Sequence, residues 1–363
     1  MKQKNYFPLL SIGLLTILLI SASFNVKSQN TPKSKAQKFT LVADEKNKRV
    51  DVLIDGKPFT SYFYPDNLMK PVLYPIRTAQ GTLITRGWPY DPRPGERVDH
   101  PHHVGLWFNY GDVNGLDFWN NSTAIEASKK NSYGTIKHRK VTKMTNGDNQ
   151  AELAVTMDWQ KPDGTNLLRE DTRFVFSGKG NDRYIDRITT LTALTEDVSF
   201  KDNKEGVIGL RLARELEHPS DKPEIFTDAS GKATPVAKLN NEGVTGKYRS
   251  SEGKEGDAVW GTRGRWVNLS GEINQEPISV VMLDNPQNVG FPTYWHARGY
   301  GLFAANPLGQ KALSDGKEEL NFKLPAGKSV TFRHRLIIHS GSTLTDDQVN
   351  AEYQKFAGKN NKM

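Results

Sequence analysis

Residues 99–119 read DHPHHVGLWFNYGDVNGLDFW and place His100, His102 and His103 within four positions. Imidazole is the side chain that gives and takes protons near neutral pH, so this density suits general acid–base work. Trp107 and Trp119 supply flat apolar rings of the kind that stack on a sugar. Asn109, Asp112 and Asp117 supply partners for hydroxyl groups. Histidines this close are also raw material for a metal site.

Strand alternation sorts these side chains. Read as a strand, HHVGLWFNY turns Val104, Leu106 and Phe108 into a core, and His103, Gly105, Trp107 and Asn109 the other way. Pro101 interrupts any ladder, which leaves Asp99, His100 and His102 on the loop entering the strand. Gly105 is expected to leave a gap through which a ligand approaches the backbone. The following YGDVNGLDFWN suits a tight loop at the sheet rim.

A second strand, GVIGLRLARELE, alternates the same way. Ile208, Leu210 and Leu212 take one side, and Gly209, Arg211, Ala213 and Glu215 the other. Arg211 and Glu215 then belong to a site or form an ion pair on a solvated face. A third segment, PTYWHARGYGLFAANPLG, carries Trp295, His296 and Arg298 and ends at the turn signal Asn306-Pro307. Burying an unpaired arginine is costly, which favours this trio as part of a site.

The expected catalytic set is His103, His102, His296 and Glu215. His103 leads it, because a strand-borne side chain is held more firmly than a loop-borne one. The expected binding set is His100, Trp107, Asn109, Asp112, Asp117, Trp119, Arg211, Trp295, Arg298 and Asn306. His100, His102, His103 and His296 are expected to converge on one concave sheet face. Two other classes compete with a carbohydrate enzyme that needs no cofactor. One is a metalloenzyme with a divalent ion at His100, His102 and His296, Asp99 being another possible ligand, although no HExxH motif is present. The other is a non-catalytic sugar-binding protein, for which several titratable groups together are superfluous.

The elements that must position these residues read as strands. From Phe39 to Ser340 short β-forming runs alternate with turn signals such as Asp55-Gly56, Asn146-Gly147 and Asp163-Gly164. Val330, Phe332, His334, Leu336 and Ile338 share one face of a late strand. Residues 217–258 read as one long excursion between strands. The clearest helix signal comes last. Thr345 and Gln348 form a capping box, and Val349, Tyr353 and Phe356 an apolar stripe. The expected fold is all-β, a large antiparallel β-sandwich with a short C-terminal helix.

Residues 1–28 read as a secretory signal peptide. Lys2 and Lys4 precede the apolar run FPLLSIGLLTILLISASF, and Val26 and Ser28 suit cleavage before Gln29. Residues 29–37 read as a disordered linker and 38–358 as one sandwich domain. The formal charge of +8 falls to +5 without Lys2, Lys4 and Lys27. That surplus is spread thinly, which argues against nucleic acid. No second long apolar run follows, so no membrane partner is expected after cleavage. With no cysteine the fold has no disulfide, and a periplasmic or secreted location is expected.

The segments PGERVDHPHHVGLWFNYGDVNGLDFW and YWHARGYGLFAANPLG resemble those of a secreted bacterial family labelled methane oxygenase PmoA (PmoA-like, a domain of unknown function). The resemblance extends over nearly the whole chain after residue 28. That family is in turn distantly similar to galactose-mutarotase-like β-sandwiches. The resemblance implies a supersandwich whose concave sheet face binds carbohydrate, with a histidine and a carboxylate at work. It transfers no epimerase residues, because the motif around these histidines is not the epimerase motif.

Overall fold

Two antiparallel sheets form because the β-forming runs are short and their turns are built from residues that tolerate positive φ. At Asp55-Gly56 both residues take positive φ, and strands Arg49–Ile54 and Lys57–Phe63 pair directly across them. The computed structural model describes residues 1–4, 36–238 and 240–358. The leader at residues 5–28 and the linker at residues 29–35 lie outside the described residues. The chain from Ala36 onward forms one unit.

The first sheet has nine strands. Its order is Tyr294–Arg298, Leu302–Asn306, Gly206–Arg211, Leu106–Tyr110, Val72–Leu73, Lys57–Phe63, Arg49–Ile54, Lys38–Asp44 and Gly147–Asp148. The second has eight, among them the long strands Gln150–Gln160, Asn166–Lys179, Asp182–Ala193 and Ser329–Ser340. Side chains from the facing surfaces fill the space between, with Leu106, Phe108, Ile208 and Leu210 meeting Phe174, Ile185, Val280 and Ile338. The helix Asp346–Ala357 covers the far side of the second sheet, packing Val349, Tyr353 and Phe356 on Trp266, Val281, Leu283 and Ile337. Its capping box between Thr345 and Gln348 is formed as expected. Among the described residues no helix is long and apolar enough to cross a membrane.

The outer face of the first sheet carries a smaller cluster of its own. Val72, Trp107, Leu302 and Ala304 stand on it, and Tyr74, Val104 and Trp119 close over it from connecting segments. Here the alternation expected from residue 102 onward fails. The strand begins only at Leu106, and Gly105 takes φ +56°. That turn of the chain moves Val104 to the outer face, beside Trp107, rather than into the core with Leu106 and Phe108. The partner strand ends at Arg211, and residues 214–216 form a turn of 3-10 helix. Glu215 therefore leaves the face that holds Gly209 and Arg211, and Ala213 packs into the core. Residues 217–258 are not one loop, since they fold into a hairpin of Glu224–Thr227 with Ala233–Val236 and an edge strand Lys247–Ser250.

Gly105 is fixed twice over. Its φ belongs to the left-handed region, and a Cβ would press on the backbone oxygen of Leu73 and lie 2.9 Å from Tyr74 Cβ. The expected gap is thus filled by the protein's own chain and admits no ligand. Gly105→Ala is predicted to lower unfolding stability by at least about 2 kcal/mol, through strain and a backbone clash. Urea denaturation checks this, and a loss under about 0.5 kcal/mol, the range of a neutral surface change, would contradict it.

Candidate functional site

The site is built on cross-strand rows of the first sheet. One row runs His296, Ala304, Gly209, Trp107, and the next runs Arg298, Leu302, Arg211. Gly209 matters for the first, because a Cβ there would lie 2.5 Å from Trp107 and 2.9 Å from Trp119. Both indoles therefore lie over its bare backbone. They are fully buried and form the floor of the site rather than an open stacking platform.

Above this floor the aromatic rings form a column. Trp107 stacks under His103 at 5.0 Å between centroids, His103 under His100 at 4.7 Å, and His100 beside Tyr300 at 5.2 Å. The interplanar angles are 16°, 4° and 5°. His102 meets His103 edge-on at 4.4 Å, and Trp119 meets Trp107 at 5.1 Å. The column carries a gradient of exposure. His103 is buried, whereas the His100 side chain is 40 % exposed.

One carboxylate holds the column in place. Asp99 Oδ1 accepts from Arg211 Nη2 at 2.6 Å and also from Arg86 Nη1, and both guanidinium groups are buried. Asp99 Oδ2 lies 2.9 Å from His100 Nδ1. Arg86 also donates to the backbone oxygens of His100 (3.0 Å) and His103 (3.1 Å), pinning the loop from both ends. Burial pushes the Asp99 carboxyl up, but Arg211, the His100 hydrogen bond and Arg86 outweigh it and hold it well below the usual carboxylate range. Burial and Arg211 lower Arg86 to about 9, which still leaves it charged at neutral pH.

These contacts fix tautomers. A carboxylate only accepts, so His100 carries a proton on Nδ1. Arg211 Nη1 faces His103 Nδ1 at 3.3 Å, and a guanidinium only donates. His103 Nδ1 therefore accepts, and its proton sits on Nε2. Burial, His102 and Arg211 together push the His103 pKa well down, so the ring is neutral.

His296 shares the face, at the far end of the cross-strand row that begins at Trp107. Its Nδ1 donates to the Lys204 backbone oxygen at 3.0 Å, and Asn306 Nδ2 donates to the same oxygen at 3.0 Å. The two hold the loop that carries Glu205, whose carboxylate lies 3.7 Å from His296 Nδ1. Burial raises the Glu205 pKa. Beneath the floor, Lys70 Nζ donates to the His102 backbone oxygen at 2.8 Å and lies 5.5 Å from the Trp107 ring centroid. Burial lowers it to about 7.

The structure brings together His100, His102, His103, Trp107, Trp119 and Arg211, while His296 and Arg298 share their sheet face two and three strands away. It reassigns others. Trp295 faces the core between the sheets and donates to the Gly264 backbone oxygen at 3.1 Å, because it alternates with His296 along the strand. Glu215 lines a separate cavity of about 430 Å³ with Arg93, Arg214 and Phe226. Asp112 closes its own turn through the Gly115 amide, and Asp117 does the same for Trp119 and Asn120. Asn109 donates to the Phe118 backbone oxygen at 2.6 Å and Asn306 holds the Glu205 loop, so both position neighbours. Among the described residues no three His, Asp or Glu side chains gather in metal-ligand geometry, and the trio His100, His102, His296 is no exception.

Arg86, Lys70, Glu205 and Tyr300 escaped the sequence-based candidate sets, and Asp99 entered only as a candidate metal ligand. Lys70 had a legible signal, a lone charge in the apolar run LMKPVLY. Glu205 had none, since DNKEG reads as an ordinary solvated turn.

Residues 49–354 match the sequence model of a family of unknown function, DUF6807, and the chain belongs to that family. Its description assigns no activity, so the methane oxygenase label is not carried over. No curated protein matches the chain. Among solved structures, a family-36 α-galactosidase from Geobacillus stearothermophilus superposes with a TM-score of 0.40 at 8 % identity, over 84 % of this chain and 41 % of that one. A galactose mutarotase-like protein from Clostridium acetobutylicum gives 0.34 at 12 % identity, over 84 % and 99 %. The chain thus spans about two fifths of the galactosidase. Likeness this loose transfers neither ligand nor reaction.

The Asp99 clamp makes a signed prediction. Asp99→Asn leaves Arg86 and Arg211 buried without their carboxylate and should cost about 3–5 kcal/mol at pH 7. The folded-state pKa of Asp99 is depressed, so its stabilisation is full above the unfolded value near ~3.9 and is lost as pH falls below it. The gap between wild type and variant should therefore narrow by up to about 1.4 kcal/mol per pH unit below ~4. Chemical denaturation at several pH values measures it, and a gap independent of pH would contradict the clamp.

Proposed function

For a chain of this family of unknown function, we propose acid–base catalysis on a carbohydrate at the outer face of the nine-stranded sheet. The observation that carries the proposal is the Asp99–His100 pair. A carboxylate orients the imidazole through Nδ1, which leaves an accessible Nε2 lone pair to take a proton. Glu205, half-buried 3.7 Å from His296 Nδ1, is the second carboxyl group of this face, and burial shifts its pKa upward, the direction that favours proton donation. Half-buried Tyr300 and Tyr90 pack against the same aromatic cluster and offer ring faces next to dense hydrogen-bonding groups, the combination a sugar requires. His103, which led the sequence-based expectation, then serves by supporting His100 from below. A periplasmic or secreted location belongs to the same proposal and rests on residues 1–28. Recovery of an exported chain beginning at Gln29 would support it, and a retained leader would count against it.

The test is turnover followed by NMR in deuterium oxide across aldoses, keto-sugars, sugar acids and disaccharides. Deuterium entering a carbon position reports proton transfer directly. His100→Ala should reduce turnover by about 100- to 10,000-fold, and Glu205→Gln by a comparable factor, with the circular dichroism spectrum unchanged. Full turnover in His100→Ala would overturn the assignment.

A further inference from the structure

The charges on the outer face do not balance. Above the floor Arg86, Lys204, Arg211 and Arg298 face Asp99 and Glu205, while beneath it Lys70 faces Asp117. These carboxylates are already engaged. Asp99 is shared between Arg86 and Arg211, Asp117 receives the amides of Trp119 and Asn120, and Glu205 lies 3.5 Å from Lys204. Arg298 has no carboxylate partner among the described residues. It is exposed, two residues along the strand from His296, and its guanidinium is held 5.3 Å from the Trp260 ring centroid. Asp257, on the turn that leads to Trp260, faces His218 at 3.3 Å instead.

The unpartnered buried atoms around the column are mostly donors, Asn109 Oδ1 being an acceptor and His102 Nε2 able to take either role. His103 Nε2, Trp107 Nε1, Trp119 Nε1 and Arg211 Nε are all buried without a hydrogen-bond partner. Indole and guanidinium nitrogens only donate, and the Arg211 contact places the His103 proton on Nε2. Each of these atoms is therefore a donor. An N–H buried without an acceptor is unfavourable, so the interior of this face favours acceptor-rich partners.

We infer that the ligand of this site is a sugar bearing an oxyanion, a carboxylate or a phosphate or sulfate ester, which Arg298 receives at the rim. The inference rests on the carbohydrate reading above and narrows it to acidic sugars. The ring of Trp260 holds the guanidinium in place, so little freedom is lost when it pairs. Lys204, 56 % exposed at its side chain, adds a second positive charge beside the entrance.

Calorimetric titration of the full chain with D-glucose, D-glucuronate, D-glucose 6-phosphate and D-glucose 6-sulfate tests it, with acetate, phosphate and sulfate alone as anion probes. At least one acidic sugar should bind about tenfold or more tightly than glucose, less so at high ionic strength, and Arg298→Gln should remove that advantage. Which acidic sugar wins identifies the oxyanion. Equal affinity for glucose and every acidic form, or an advantage that survives Arg298→Gln, would overturn the inference and leave the carbohydrate reading intact. Simple anions binding where no sugar does would keep the oxyanion site and refute the carbohydrate reading. Binding of no probe at all would refute both.

Discussion

Everything distinctive about this molecule's outer face depends on one half-buried carboxylate shared by two buried arginines. Arg86 and Arg211 come from different parts of the chain, and neither could be buried alone without a large desolvation penalty. Asp99 makes their burial tolerable, and in exchange they fix Asp99. Its second oxygen then orients His100, and the spare donors of Arg86 pin the backbone on either side. Such a triad adds little net stability compared with a well-packed apolar core. Its value lies in specifying a geometry, namely a positive-φ histidine held over a neutral one.

The sheet contributes in a different way. Four neighbouring strands place His296, Ala304, Gly209 and Trp107 in one row, and the small residues in the middle leave room for indoles to lie flat. The inner face of the same strands does the ordinary work of a sandwich core. Division of labour between the two faces explains why residues one position apart differ so much. Trp295 is core and His296 is site, and Phe108 is core while Trp107 is floor.

Much of this was legible in the sequence where a period of two applied. The antiparallel sandwich, the capped C-terminal helix and the outward sides of Trp107 with Asn109 and of Gly209 with Arg211 all follow from alternation and turn chemistry. The errors fall where alternation stops. Gly105 breaks it by turning left-handed, which misplaced Val104. The strand ending at Arg211 breaks it again, which took Glu215 away from the histidines. Glu205 and Arg86 were invisible for another reason. Each reaches the site from a connecting segment, and no local pattern encodes which loop lands on which sheet face. Tryptophan, taken as a sugar platform at three positions, proved to be floor or core at each, because a large ring gains most from burial.

The account's central claim is that Asp99, acting with Arg86 and Arg211, sets opposite tautomers in two stacked histidines. Long-range proton–nitrogen correlation NMR of imidazole-labelled protein at neutral pH reads this directly. The account predicts a neutral His103 protonated on Nε2, and a His100 whose Nδ1 carries a proton. Both signals should lose their distinct positions in Asp99→Asn. A His103 protonated on Nδ1, or present as imidazolium, would contradict the geometry on which the column, the free donor and the proposed base all depend.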